Sequence, residues 1–201
     1  MEQTVLFRDF EERDIDFIYR CKNDEKLNEM IVGQFHHYSY EEAVNWVHGC
    51  MGDHDTYKFW AISTNDDERR IVGWTSLSQI DLFNKSACQH GIVIGDVDYK
   101  DGNAMFEALL FTMKYAFVTL DLHRLYCSCL SNHKISPHML IALGFVLEGE
   151  HRDAFIKNNK FYNVQDYSIL KTEYNALLTS GMYDINVLTR KFVKSVKSYK
   201  K

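Results

Sequence analysis

Apolar and polar positions follow each other along this chain in patterns that mark out most of its elements. The run Thr4-Val5-Leu6-Phe7-Arg8-Asp9-Phe10 reads as a strand, and Arg13 to Lys22, with Ile15, Ile18 and Cys21 on one side, as a short amphipathic helix. Ser39-Tyr40-Glu41-Glu42 is a capping box. The Ser39 hydroxyl can accept from the amide of Glu42 while the Glu42 carboxylate returns to the amide of Ser39, starting a helix through Ala43, Val44 and Val47. Lys58 to Ser63 and Ile71 to Leu77, joined by a polar turn at Thr64 to Glu68, predict a hairpin. Ala87 to Ile94 follows, and its apolar end Ile92-Val93-Ile94 predicts a strand covered on both faces. These three strands are expected to be antiparallel neighbours.

From Gly102 to Leu120 the residues Phe106, Leu109, Leu110, Met113, Phe117 and Leu120 recur at three- and four-residue steps, which predicts a long helix with a wide buried stripe. His123 to Leu130 reads as the next strand. Strand, helix, strand is a crossover, so the two strands are expected to run parallel. Ser136-Pro137 predicts an N-cap serine before a proline at the first helical position, with Gly144 closing the short helix at Leu143. Phe145 to Phe155 and Phe161 to Leu170, joined by Lys157-Asn158-Asn159-Lys160, predict a final hairpin. The order is strand, two helices, three strands, helix, strand, helix, two strands: a mixed α/β (α+β) fold on one mostly antiparallel sheet with a parallel central pair.

The chain has 201 residues, which favours one domain with room for little more than a tail. At 46% hydrophobic and 25% charged residues it can bury a sizeable core, which excludes disorder over most of its length. It has no apolar run near the roughly 20 residues of a membrane span, and Met1-Glu2-Gln3-Thr4 lacks the layout of a signal peptide, so a cytoplasmic protein is expected. With Pro137 the lone proline, no linker marks an internal boundary. The five cysteines are odd in number and lack C-x-x-C spacing, which fits neither a disulfide framework nor a zinc site. Cys127 and Cys129 share one face of a strand, as buried small hydrophobes or, alternatively, as a reactive thiol. The net charge of -5 hides an asymmetry, because from Ala176 onward Arg190, Lys191, Lys194, Lys197, Lys200 and Lys201 face the single acid Asp184. The acidic body argues against nucleic acid as the main ligand and is compatible with a cationic or amine substrate.

Ile94 to Ala104 joins a buried strand to the start of the long helix, and this is where chemistry is expected. A first helical turn has unpaired amides and a partial positive charge, and Gly102 lets the backbone approach a bulky anion, so a phosphate or diphosphate is the natural guest. An ordinary strand-to-helix turn with one glycine is the plain alternative. Neither the dinucleotide fingerprint nor a P-loop is present.

Tyr99-Lys100-Asp101-Gly102-Asn103-Ala104 is similar, except at its first position, to a phosphate-cradling pattern Gln/Arg-x-x-Gly-x-Gly/Ala. It is followed in order by Tyr115-Ala116-Phe117, Leu122-His123-Arg124-Leu125, Leu143-Gly144-Phe145, Glu148-Gly149, Arg152, Phe161-Tyr162 and Asp166 to Leu170, and preceded by Leu6-Phe7-Arg8 and Lys22-Asn23-Asp24. With these pieces the run from Val5 to Tyr174 resembles the Gcn5-related N-acetyltransferase (GNAT) superfamily, in its RimJ/RimL-like branch of ribosomal-protein-alanine and polyamine acetyltransferases. Ile80 to Lys85 also looks somewhat like amino-sugar nucleotide acetyltransferases.

The resemblance implies residues 1–174 as the acetyltransferase domain, a parallel central pair that splays apart, helices on both faces, and transfer of an acetyl group from acetyl-CoA to a primary amine. The amine would be a small molecule such as an amino-sugar nucleotide or polyamine, or a protein N-terminus. By the same resemblance the amides of Ile92, Val93 and Ile94 would pair with the pantetheine arm. Those of Gly102, Asn103 and Ala104 would hold the diphosphate. Lys100 would supply the charge that the family places at Tyr99, and Asn132 or His133 would assist the pantetheine. Leu140 stands where the family has a tyrosine acid. That departure leaves three readings: a substitute acid, a proton from solvent, or an acetyl-CoA-binding sensor or adaptor without efficient turnover.

Aminolysis needs a neutral amine and later a proton for the departing thiolate. His90, with an ordinary pKa of about 6.5, is the candidate base, against the plain alternative of a strand histidine bonded to a carbonyl. His138 is the candidate substitute acid. His36, His37 and Tyr38 lie where the branch builds its acceptor pocket, which Trp74 could line. No third ligand accompanies the paired histidines, so no metal is expected. In the tail, Leu188, Phe192, Val196 and Tyr199 make an apolar stripe beside Lys191, Lys194 and Lys197, which predicts a basic amphipathic helix in the extension 175–201. It would pack on its own domain or in a homodimer, with a membrane-surface or acidic-partner contact as the rival.

Overall fold

The computed structural model describes residues 3–199 apart from Met30, Val32, Gly33, Asp53 and Asp101. Tyr199 of the expected stripe has its side chain outside the described residues, as do Lys200 and Lys201 entirely. Seven strands form one sheet in the order β1-β2-β3-β4-β5-β7-β6. They are β1 (Val5–Arg8), β2 (Lys58–Thr64), β3 (Ile71–Asp81), β4 (Ser86–Ile94), β5 (Arg124–Leu130), β6 (Val146–Lys157) and β7 (Lys160–Leu170). The helices are α1 (Ile15–Lys22), α2 (Glu25–Asn28), α3 (Tyr40–Cys50), α4 (Asn103–Lys114), α5 (Ser136–Ala142), α6 (Lys171–Thr179) and α7 (Ile185–Tyr199). β1–β2, β2–β3, β5–β7 and β6–β7 pair antiparallel, while β4–β5 is parallel, in register from Ser86 with Arg124 to Cys88 with Tyr126. The chain forms two compact units, Met1–Gln79 with His90–Thr112, and Ile80–Gln89 with Met113–Lys201.

In the first unit helices cover both faces of the strands. Phe10, Ile15, Phe17, Ile18, Ala43 and Val47 pack with Ala61, Trp74 and Val93 on one side. On the other, Ala104 and Ala108 of α4 pack with Val5, Ile62, Val72 and Ile94. The alternation Ala61/Ile62 and Val93/Ile94 is the strand period of two, so each of these strands feeds both cores. The expected helix Arg13–Lys22 begins instead with a 3-10 turn, Glu12–Asp14, because the buried Asp14 carboxylate takes two bonds from Arg8 at 2.7 and 2.8 Å and one from the Glu11 amide. The capping box of α3 forms as read, Ser39 Oγ accepting from Glu42 N–H at 3.2 Å and Glu42 Oε2 from Ser39 N–H at 2.7 Å. α2 lies in a stretch to which the pattern assigned no element; the Asp24 side chain caps it by accepting from Leu27 N–H.

In the second unit β5 is paired with β7 along its full length, from Arg124 with Leu170 to Leu130 with Val164. Asn158 and Asn159 both have positive φ, 50° and 57°, the conformation a two-residue hairpin turn demands, and asparagine adopts it at low cost. The predicted helix through Leu120 changes character: α4 ends at Lys114 and a π-helical turn, Tyr115–Thr119, finishes it. The expected boundary between residues 174 and 175 falls inside α6, whose Tyr174 ring packs 4.9 Å from Phe117. α7 lies on α5, with Leu188 fully buried. Cys127 and Cys129 are buried, and burial pushes both thiols up, that of Cys129 to about 11, as expected of small hydrophobes.

The cap of α5 differs from the reading. Ser136 is the first helical residue and Ile135 the N-cap, and the acceptor is His133, whose Nδ1 receives the amides of Ile135 (3.2 Å) and Ser136 (3.0 Å). An imidazole nitrogen can accept only when unprotonated. Burial lowers the pKa of His133 from its ordinary 6.5, so the cap's contribution is present above that value and is lost as the pH falls through the folded pKa. His133→Ala is expected to cost about 1 kcal/mol at pH 8. In urea denaturation the gap to the parent should shrink at pH 5; an undiminished gap would contradict the cap.

Candidate active site

The turn between β4 and α4 is pinned from three directions. The amides of Gly95 and Asp96 both donate to the carbonyl of Val72, at 2.9 and 3.2 Å, which ends β4. Asp96 accepts from the amide of Asp98 at 3.0 Å and pairs with Arg70 at 2.6 Å. Tyr99 packs against the core on the α4 side, while Lys100 stays exposed. Gly102 then adopts φ +98°, a conformation L side chains rarely take, and a Cβ placed there would meet nothing within 4 Å. Its carbonyl accepts the first helical bond, from Phe106 N–H at 3.1 Å. No acidic residue stands in the first turn of α4 to compensate the partial positive charge, and Ala104 is buried beneath it. Asp101 of the motif lies outside the described residues.

β4 leads into this turn with its side chains already committed. Ile92 and Ile94 face the core shared with α4, and Val93 faces the core under α1 and α3. What these residues can offer a ligand is therefore their backbone. His90 is exposed to solvent, and the protein packed behind it, then the charge of Lys22, hold its imidazole below the ordinary 6.5. A neutral imidazole at pH 7 can take a proton.

A second constellation gathers at the C-terminal end of α1. Asn23 Nδ2 donates to the Tyr38 carbonyl at 3.1 Å and Asn23 Oδ1 accepts from the Tyr38 amide at 2.9 Å, a strand-like double bond that fixes Tyr38 opposite α1. Tyr38 stacks on His36 at 4.5 Å, and His36 lies 3.8 Å from Glu42. His36, Tyr38, Phe35 and Lys22 line a cavity of about 190 Å³. His37 is exposed, edge-on to Phe35, and is not among the described residues lining the cavity. Trp74 is buried and packs edge-on against Trp46 at 5.6 Å. The Lys22 ammonium stands over three rings, 4.4 Å from Trp46, 5.4 Å from Tyr38 and 5.5 Å from Trp74. Neither Lys22 nor Trp46 was singled out from the sequence. Lys22-Asn23-Asp24 stood out only by resemblance, and Trp46 reads as one more apolar helix residue.

The remaining candidates belong to the second unit. Asn132 is exposed, whereas His133 is the α5 cap. His138 is buried with Nδ1 2.7 Å from Ser195 Oγ of α7. Leu140 is buried, and its carbonyl accepts the amides of Leu143 and Phe145 that close α5. Among the described residues no group of three or more histidine, cysteine, aspartate or glutamate side chains is placed to hold a metal ion, and no helix is long and apolar enough to cross a membrane.

Comparison with known proteins meets this geometry from outside. An uncharacterized N-acetyltransferase of Bacillus subtilis, YnaD, is 26% identical over 86% of this chain and 97% of its own length. The spermidine N(1)-acetyltransferase of Vibrio cholerae is 22% identical over 87% of this chain and 97% of its own. The crystal structure of the Vibrio cholerae spermidine N-acetyltransferase in complex with CoA and spermine superposes with a TM-score of 0.75 at 20% identity, covering 86% of this chain and 98% of that one. Residues 4–146 match the acetyltransferase (GNAT) domain model. The chain belongs to the GNAT acetyltransferase family, enzymes that move an acetyl group from acetyl-CoA to an amine.

Proposed function

We propose that residues 90–104 form the acetyl-CoA side of this enzyme and that the cavity at His36 and Tyr38 receives the amine. One observation carries the reading: a single run of chain bears His90, the committed strand Ile92 to Ile94, and a helix tip whose Gly102 has φ +98° and open space above it. The amides of Gly102, Asn103 and Ala104, with the partial charge of α4, suit a diphosphate, and exposed Lys100 adds a positive charge while Tyr99 anchors the turn in the core. Acetyl-CoA would supply an activated thioester acyl group and a stable thiolate leaving group. The Ile92 to Ile94 backbone would align the pantetheine arm. His133, one of the two residues offered for that arm farther along the chain, holds the α5 cap.

His90 would take a proton from the incoming ammonium, directly or through a water, leaving the nitrogen lone pair free to attack. His138 is assigned the task of holding α7, as the strap by which the extension 175–201 docks on α5, and the departing thiolate would take its proton from solvent. Trp74 would form the back wall of the acceptor side, behind Lys22. The spermidine acetyltransferase named above and the ribosomal protein uS5-alanine N-acetyltransferase of Escherichia coli, 32% identical over 43% of this chain, act on different amines, so a polyamine and a protein amine are both acceptor classes to be tested here.

The test is thiol release from acetyl-CoA with a panel of amines. His90→Gln is expected to lower kcat about a hundredfold with KM for acetyl-CoA little changed, and to remove an acid limb lying below pH 6.5 from the kcat profile. An unchanged kcat and profile would remove His90 from the mechanism. Tight acetyl-CoA binding with no release from any amine would favour a sensor instead.

A further inference from the structure

The lysine at the end of α1 is placed unlike a surface lysine. It is half-buried, its ammonium lies among the rings of Tyr38, Trp46 and Trp74, and among the described residues no carboxylate pairs with it. Aromatic faces attract a cation, yet they accept none of its hydrogen bonds in the ordinary sense, and an ammonium has three protons to give. The thiols beside it do not supply the missing charge, because burial pushes Cys50 up to about 12 and Cys21 to about 11, so both remain protonated. The same burial lowers the pKa of Lys22, the signature of a cation without enough compensation. Lys22 opens onto the 190 Å³ cavity, whose described lining includes His36 and the amide side chains of Asn28 and Gln34 and no carboxylate. The cage that could hold an amine acceptor's cation is thus filled by the protein's own cation.

We propose that the acceptor amine carries an anionic group, a carboxylate or a phosphate, that seats on Lys22 in this cavity. The inference rests on the cavity being the acceptor side, as proposed above, and adds the substrate class. The three rings hold the ammonium in place beside the cavity that Lys22 lines, where an anion could take up the hydrogen bonds the rings do not accept. A polycation would bring positive charge against Lys22 with no carboxylate in the described lining to receive it. The acidity of the chain as a whole does not bear on this, since charges beyond roughly 10 Å are screened at ordinary ionic strength.

The experiment measures acetyl-CoA-dependent thiol release with four acceptors: β-alanine, 2-aminoethyl phosphate, propylamine and spermidine. One or both of the anionic amines should exceed propylamine in kcat/KM by at least about tenfold, and the preferred arm identifies carboxylate or phosphate. Lys22→Met, which keeps the apolar stem, should collapse that ratio to near unity, and Lys22→Arg should restore part of it. Preference for spermidine or propylamine in the parent enzyme overturns the inference whatever the variants do, as does a ratio that Lys22→Met leaves intact. Should none of the four support release while acetyl-CoA still raises the melting temperature, the anionic acceptor falls and the coenzyme assignment stands. Failure of acetyl-CoA to raise that temperature sinks the proposed function itself.

Discussion

Gly73→Ala should destabilise the enzyme by about 3 kcal/mol and lower its melting temperature by roughly 6–12 °C. A Cβ at Gly73 would lie 2.2 Å from the Val93 carbonyl oxygen, 3.0 Å from Ile94 Cδ1 and 3.2 Å from Ile94 Cα. Two of those three atoms are backbone, so the clash cannot be relieved by turning a flexible side chain. β3 and β4 must move apart, and the end of β4 is where Val93 and Ile94 anchor two different cores. The same shift would disturb the bonds from Gly95 and Asp96 to Val72, one residue from the substitution, and with them the turn that presents Gly102. Activity at permissive temperature should therefore fall along with stability. Thermal denaturation and steady-state kinetics on the variant check both; a variant as stable and active as the parent would mean that the strands do not meet as closely as described.

Gly102→Val is expected to weaken acetyl-CoA binding at least about a hundredfold, the loss of two charge-assisted hydrogen bonds. Two causes combine. At φ +98° any L side chain strains the backbone, by roughly 1–2 kcal/mol, and the valine methyls would fill the open space that the cradle offers an anion. Gly102→Ala separates them, since it shares the strain with little bulk and should lose less affinity. Calorimetric titration with acetyl-CoA reads the difference. Equal affinity for the parent and the valine variant would place the diphosphate elsewhere.

The local rules carried the sheet and its helices because those elements are decided locally. The capping box at Ser39, the paired asparagines at 158 and 159 and the apolar run 92–94 each state their own structure, and each forms as read. Where a side chain outside the pattern itself competes for the same groups, the local rule misleads. Ser136-Pro137 satisfies the N-cap pattern, but His133 reaches the amides first and moves the cap outward. The start of α1 tightens because Arg8, on a strand, draws Asp14 into a bidentate pair. The site divides in the same way. The turn proposed to hold the diphosphate is a contiguous motif, so Gly102 could be found from its neighbours in the chain. The Lys22 cage could not, because its rings come from the segment before α3, from α3 itself and from β3, and only the folded chain brings them over one ammonium.

The most direct measurement compares the affinities of acetyl-CoA and acetyl-pantetheine, which share the thioester arm and differ by the nucleotide and its diphosphate. If the amides at the head of α4 hold that diphosphate, acetyl-pantetheine will bind at least about a hundredfold more weakly to the parent, and Gly102→Val will bring the two affinities close together. Equal affinities of the two ligands for the parent enzyme would contradict the account.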